Sequence, residues 1–144
     1  MTQKRVLFVC IHNSARSQMA MTYLNHYGKD LGFVAESAGL EPGTLNPLAV
    51  AAMKEDGFDM SQNPTNSVFN FYKEGRKYRY IVTVCDPEAA EKCPVFPGVV
   101  QRLHWGFKDP SLFTGTEEEK IAKTIEVRDE IKQAILSFVE SFVD

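Results

Sequence analysis

Val6-Leu7-Phe8-Val9-Cys10-Ile11-His12-Asn13-Ser14-Ala15-Arg16-Ser17 is the stretch that decides how this chain folds. Four apolar residues run into a cysteine and a short polar segment follows. Met19, Ala20, Tyr23, Leu24 and Tyr27 then recur at helical spacing. The order is buried strand, tight loop, helix. Such a loop sets its backbone N–H groups at a helix N-terminus, where they lack partners and converge on whatever lies above them, which makes an anion site. Cys10 stands at its rim, and Arg16 adds a forked cation suited to tetrahedral oxyanions. The combination points to a nucleophilic thiolate aimed at a phosphate-shaped substrate.

Outward from this stretch, strands alternate with helices. The first helix starts near Arg16 or Ser17 and stops at Gly28. Phe33 to Ser37 reads as a second strand, with Ala38-Gly39 and Glu41-Pro42-Gly43 as loop. Asn46-Pro47 opens a helix that turns Leu48, Ala51, Ala52 and Met53 inward and ends at Gly57. Ser67 caps a short helix running through Phe69 and Tyr72 to Gly75. Tyr80 to Val84 is a third strand, with Cys85 just beyond it, and Asp86 to Lys92 is a loop or a loose helical turn. Pro94 and Pro97 break regularity before a fourth strand from Val99 to Leu103. Thr116 and Glu119 have capping-box spacing at the head of a long last helix, whose stripe is Ile131, Ile135, Phe138 and Phe142. The expectation is a single α/β domain over residues 1–144, a four-stranded, mainly parallel sheet with helices on both faces. Its strand ends share one edge, where Cys10, Cys85 and Asp109 can meet.

The 144 residues suit one core, and a net charge of −3 is too mild to argue for nucleic acid or an acidic membrane surface. No apolar run reaches membrane-spanning length and no signal peptide is read, so a cytoplasmic monomer is expected. Three cysteines, Cys10, Cys85 and Cys93, argue against a structural disulfide framework. With three separated histidines and no Cys-x-x-Cys, a zinc site is not expected either.

A free thiol titrates at about 8.5. The loop amides and helix dipole, the Arg16 charge and the Ser17 hydroxyl all act to lower that value for Cys10. His12 either adds to this or points outward. The departing oxygen needs a proton, and Asp109, before Pro110, is the acid best placed to give it. Cys10 read alone is an ordinary buried cysteine, and Asp-Pro is common turn chemistry. The setting of Cys-x5-Arg between a buried strand and an amphipathic helix carries the functional reading.

Cys10-Ile11-His12-Asn13-Ser14-Ala15-Arg16-Ser17 resembles the phosphate loop of the low-molecular-weight protein tyrosine phosphatase superfamily. With Arg16-Ser17-Gln18-Met19-Ala20, Ser37-Ala38-Gly39, Asn46-Pro47, Val82-Thr83-Val84-Cys85, Cys93-Pro94, His104-Trp105-Gly106-Phe107 and Asp109-Pro110, nearly the whole chain resembles its thioredoxin-coupled arsenate reductases. The resemblance implies that the loop from Ile11 to Ser17 binds arsenate, with phosphate or sulfate as analogues. Cys10 attacks arsenic with Asp109 assisting, Cys85 attacks Cys10 to release arsenite, Cys93 takes over the disulfide, and thioredoxin reduces it. No cofactor is implied. The seven residues between Cys85 and Cys93 are one more than in well-known members. Met21 stands where some members have a carboxylate that helps to bind potassium. Gln18 replaces a proline of the phosphatase branch, and Ser111-Leu112 replace its paired aromatics. A phosphatase using Cys10, Arg16 and Asp109, and a non-catalytic anion or redox module, are the alternatives. Trp105 and Phe107 are assigned to the core rather than to a partner surface.

Overall fold

The computed structural model describes residues 3–143. Four strands, β1 (Lys4–Cys10), β2 (Phe33–Gly39), β3 (Tyr80–Thr83) and β4 (Gln101–His104), form one sheet in the order β2-β1-β3-β4, and every neighbouring pair is parallel. β1 is central. Val6, Leu7, Phe8 and Val9 are all fully buried because helices or loops cover both faces. Val6, Phe8 and Cys10 face one core layer, while Leu7 and Val9 face the other.

The first layer holds α1 (Arg16–Tyr27) and α5 (Glu117–Glu140), with α2 (Pro47–Glu55) packed alongside α5. The second is built from α3 (Val68–Lys73) and the segment around Cys93 and Phe96. Arg128 of α5 donates to the Ala52 carbonyl (2.8 Å) and pairs with Glu55, which ties α5 to α2. Tyr23 of α1 and Lys132 of α5 both donate to Asp56 Oδ2, at 2.8 and 3.1 Å. The connection after β1 runs to β2 on one side, and the connection after β3 runs to β4 on the other. That divergence opens a crevice at the carboxyl ends of the strands, where ligands of open α/β sheets bind.

Several expectations are corrected. Ala38-Gly39 belongs to β2 and not to a loop, since Cys10 pairs with Gly39. β4 starts at Gln101 rather than Val99, which is wholly exposed just after Gly98 (φ 95°). In α2 the buried set is Ala49, Ala52 and Met53, and Leu48 and Ala51 are only half-buried. Gly28 does end α1, but in a right-handed conformation. A Cβ there would lie 2.8–2.9 Å from Leu24 and Phe33 atoms, so close packing selects the glycine. The stripe of α5 is as expected, with Phe142 edge-on to Phe33 and Tyr80, and Phe138 edge-on to Tyr80 and tilted against Phe33. Trp105 packs against Phe8 and Phe138 in the core.

Candidate active site

Residues 11–15 connect β1 to α1, and the segment 40–46 anchors them from outside. The amides of Leu40, Glu41, Gly43 and Asn46 donate to the carbonyls of Cys10, Ile11, His12 and Ser14 at 2.7–3.1 Å. A trans peptide points its N–H opposite to its C=O. Tying those four carbonyls outward therefore turns the N–H groups of Ile11, His12, Asn13 and Ala15 inward. The Asn13 N–H illustrates this, reaching the Cys10 Sγ at 3.1 Å. Arg16 and Ser17 open α1, which has no side-chain cap, so their N–H groups join the same set. Gly39 permits the approach of β2, since a Cβ there would lie 2.7 Å from the Asn13 nitrogen.

Cys10 is almost fully buried, with Ser17 Oγ 2.9 Å from its sulfur. Ser17 Oγ accepts from Asn13 Nδ2 at 2.8 Å, which leaves its own proton free for the sulfur. His12 is exposed and donates from Nδ1 to the Glu41 carbonyl (2.9 Å), so its ring points outward. Arg16 is buried. It reaches the Phe107 carbonyl at 3.2 Å and Asp109 Oδ2 at 3.3 Å. The other oxygen of Asp109 caps a 3₁₀ turn, accepting from Ser111 N at 3.0 Å and Oγ at 2.8 Å. Asp109 is thus both turn residue and site residue. A cleft of about 530 Å³ runs along the outer flank of the loop, lined by His12, Ser14, Leu45, Phe113 and Lys120 among others.

Cys85 lies in the same core cluster as Cys10 and is fully buried. Burial pushes its thiol up to about 11, with the Arg16 charge opposing and the Cys10 charge adding to the rise. Cys93 is elsewhere. It packs with Leu7, Val9 and Phe96 in the opposite layer, where burial raises its thiol against the pull of Arg102. The sheet edge therefore brings together Cys10, Arg16, Ser17, Asp109 and Cys85, but not Cys93. All three cysteines are free.

Asn13 has φ 55°, and it is the only non-glycine residue with positive φ among the described residues. Asparagine tolerates that conformation better than most residues. Gln18 Nε2 and the Asn66 N–H donate to Asn13 directly, and Asn63 Nδ2 donates in turn to Gln18 Oε1. No spacing marks them, since Gln18 reads as an ordinary helical residue and the other two as turn residues.

The low molecular weight phosphotyrosine protein phosphatase family model matches residues 5–143. An arsenate reductase of Bacillus subtilis is 43% identical over 141 residues, covering 98% of this chain and 99% of that protein. Among solved structures, a thioredoxin-dependent arsenate reductase from Corynebacterium glutamicum is 25% identical with a TM-score of 0.63, over 93% of this chain and 62% of that one. A low molecular weight protein tyrosine phosphatase from T. tengcongensis has a TM-score of 0.78 at 20% identity, over 97% of this chain and 100% of that one. By match along nearly its entire length, the chain belongs to the low molecular weight phosphotyrosine protein phosphatase family.

Proposed function

We propose that this chain reduces arsenate to arsenite through a relay of three cysteine thiols. The observation that carries the reading is Cys85, fully buried in the same core cluster as Cys10. A phosphatase has no use for a second thiol there. The full-length likeness to the Bacillus subtilis arsenate reductase supports the same activity.

The loop amides and Arg16 hold the oxyanion, for which phosphate or sulfate can stand in. The Cys10 thiolate attacks arsenic opposite a departing oxygen. Asp109 gives that oxygen a proton, water leaves, and a sulfur–arsenic bond remains. Cys85 then attacks the Cys10 sulfur as a thiolate. A Cys10–Cys85 disulfide forms while the sulfur–arsenic bond breaks, its electron pair staying on arsenic. Arsenic falls from As(V) to As(III) and leaves as arsenite. Cys93 attacks Cys85, the disulfide passes to Cys85–Cys93, and Cys10 is free again. A dithiol protein of the thioredoxin type reduces that pair, as the thioredoxin-dependent relative suggests.

The last exchange requires motion, because bridged cysteines need α-carbons within about 7 Å and Cys93 starts in the other layer. The intervening α4 (Pro87–Ala90) is a four-residue helix without a side-chain cap hydrogen bond, and so short a helix opens readily. Every thiol of the relay up to the Cys85–Cys93 disulfide comes from one chain, so a monomer suffices for those steps, and the relay suits the reducing cytoplasm.

Phosphomonoester hydrolysis is the second reading, supported by Asp109 beside Arg16 and by the phosphatase-like fold. Counting thiols separates the two. Reduced protein incubated with arsenate and no reductant is expected to lose two thiols per chain, and Cys93→Ser is expected to leave the pair trapped as Cys10–Cys85. Unchanged thiols with steady turnover of an aryl phosphate would overturn the reductase reading.

A further inference from the structure

The geometry points to Gln18 as a positioning residue whose amide holds Asn13 in the left-handed conformation that aims the Asn13 N–H at the Cys10 sulfur. The inference concerns the anion loop and rests on the reading of Cys10 as nucleophile. Gln18 is fully buried. Its Nε2 donates to the Asn13 carbonyl at 3.0 Å, to Asn13 Oδ1 at 3.3 Å and to the Pro64 carbonyl at 2.9 Å. Three oxygens converge on one nitrogen that has two hydrogens, so one is shared. The opposite amide orientation would set Oε1 against three acceptors. Asn63 Nδ2, donating to Gln18 Oε1 at 3.2 Å, also selects the orientation found.

The contacts form a chain from outer loop to nucleophile. Residues 63–64 fix the Gln18 amide, Gln18 fixes Asn13, and Asn13 reaches Ser17 Oγ through Nδ2 and Cys10 Sγ through its backbone. Asn66 N adds a second anchor on Asn13 Oδ1 at 2.8 Å. A left-handed non-glycine residue at a functional site persists only where its surroundings over-determine it, and here Gln18 supplies two of the constraints. The Asn13 peptide is also one of those whose N–H the loop turns inward, so a relaxed Asn13 removes a donor from both sulfur and anion.

The test compares Gln18→Met, which keeps volume without donors, Gln18→Glu, which sets a carboxylate against three oxygens, and Asn63→Ala, at a half-buried position that leaves the core intact. The probe is inorganic phosphate, with its affinity measured by calorimetry and the pH profile of Cys10 alkylation recorded beside it. Folding is checked by circular dichroism. Gln18→Met is expected to weaken phosphate binding about tenfold, the equivalent of about 1.4 kcal/mol. It should also move the alkylation profile to higher pH, with Gln18→Glu worse and Asn63→Ala milder in the same sense. A folded Gln18→Met with unchanged phosphate affinity and alkylation profile would overturn the proposal. If Gln18→Met fails to fold, an Asn63→Ala protein that matches wild type in both measurements overturns it equally. Thiol counting with arsenate on the wild-type protein reports separately on the reductase reading.

Discussion

Cys85 is where burial and charge act on one atom that the chemistry needs. Its thiol is neutral at pH 7, being pushed up to about 11, yet the second step requires its thiolate. Below that value the thiolate fraction grows about tenfold per pH unit. The rate of Cys10–Cys85 disulfide formation, followed by quenched thiol counting in a single turnover with arsenate, is therefore expected to climb from pH 7 towards pH 10. A flat profile would mean that another group deprotonates Cys85 in the complex. Sequence could name these cysteines. It could not give their protonation, which depends on how much water the finished core excludes.

Among the elements, α5 shows local signals acting as read, and α4 shows where they stop. Thr116 accepts from Glu119 N at 3.2 Å while the Glu119 side chain accepts from Thr116 N at 3.4 Å, a complete capping box. Glu117 and Glu118 place negative charge near the positive end of the helix dipole. Thr116→Ala is expected to cost about 1 kcal/mol of stability. Urea denaturation checks this as a lower midpoint with an unchanged slope. By sequence, segment 86–92 reads as either a loop or a helical turn, and α4 is the second of these. The caps of α2 and α3 were legible because each is a side chain within three residues of its target, with Asn46 accepting from Leu48 N and Ser67 from Asn70 N. The start of β4 was not legible. Val99 and Val100 have strand-forming side chains, but β4 pairs with β3 only from Gln101 onward, opposite Tyr80.

The whole molecule is braced by an ionic hub at Glu36. The Arg5 guanidinium on β1, Tyr78 Oη (2.8 Å) and Arg76 Nη1 (2.7 Å) all converge on this β2 carboxylate. Burial pushes the Glu36 carboxyl up, but donation from Arg5, Tyr78 and Arg76 outweighs it and holds the group below its ordinary value of 4.5. A depressed folded value means the hub's contribution is fully present above that pH and is lost as pH falls through the folded value. Thermal unfolding followed between pH 6 and pH 3 is expected to show a steeper loss of Tm for wild type than for Glu36→Gln, which cannot titrate. Parallel lines would remove the hub from the acid response. The sequence by itself determined the strand–loop–helix around Cys10, the parallel sheet and the placing of Cys10, Cys85 and Asp109 towards one edge. Each of these rests on short-range order, hydrophobic period and the handedness of crossovers. Only the tertiary structure decided that Cys93 lies in the layer opposite Cys85, that His12 turns outward, and that Gln18, Asn63 and Asn66 brace Asn13. Most of these are contacts between segments far apart in the chain, and even the Gln18–Asn13 contact, across five residues, is fixed by partners from residues 63–66 rather than by any local pattern.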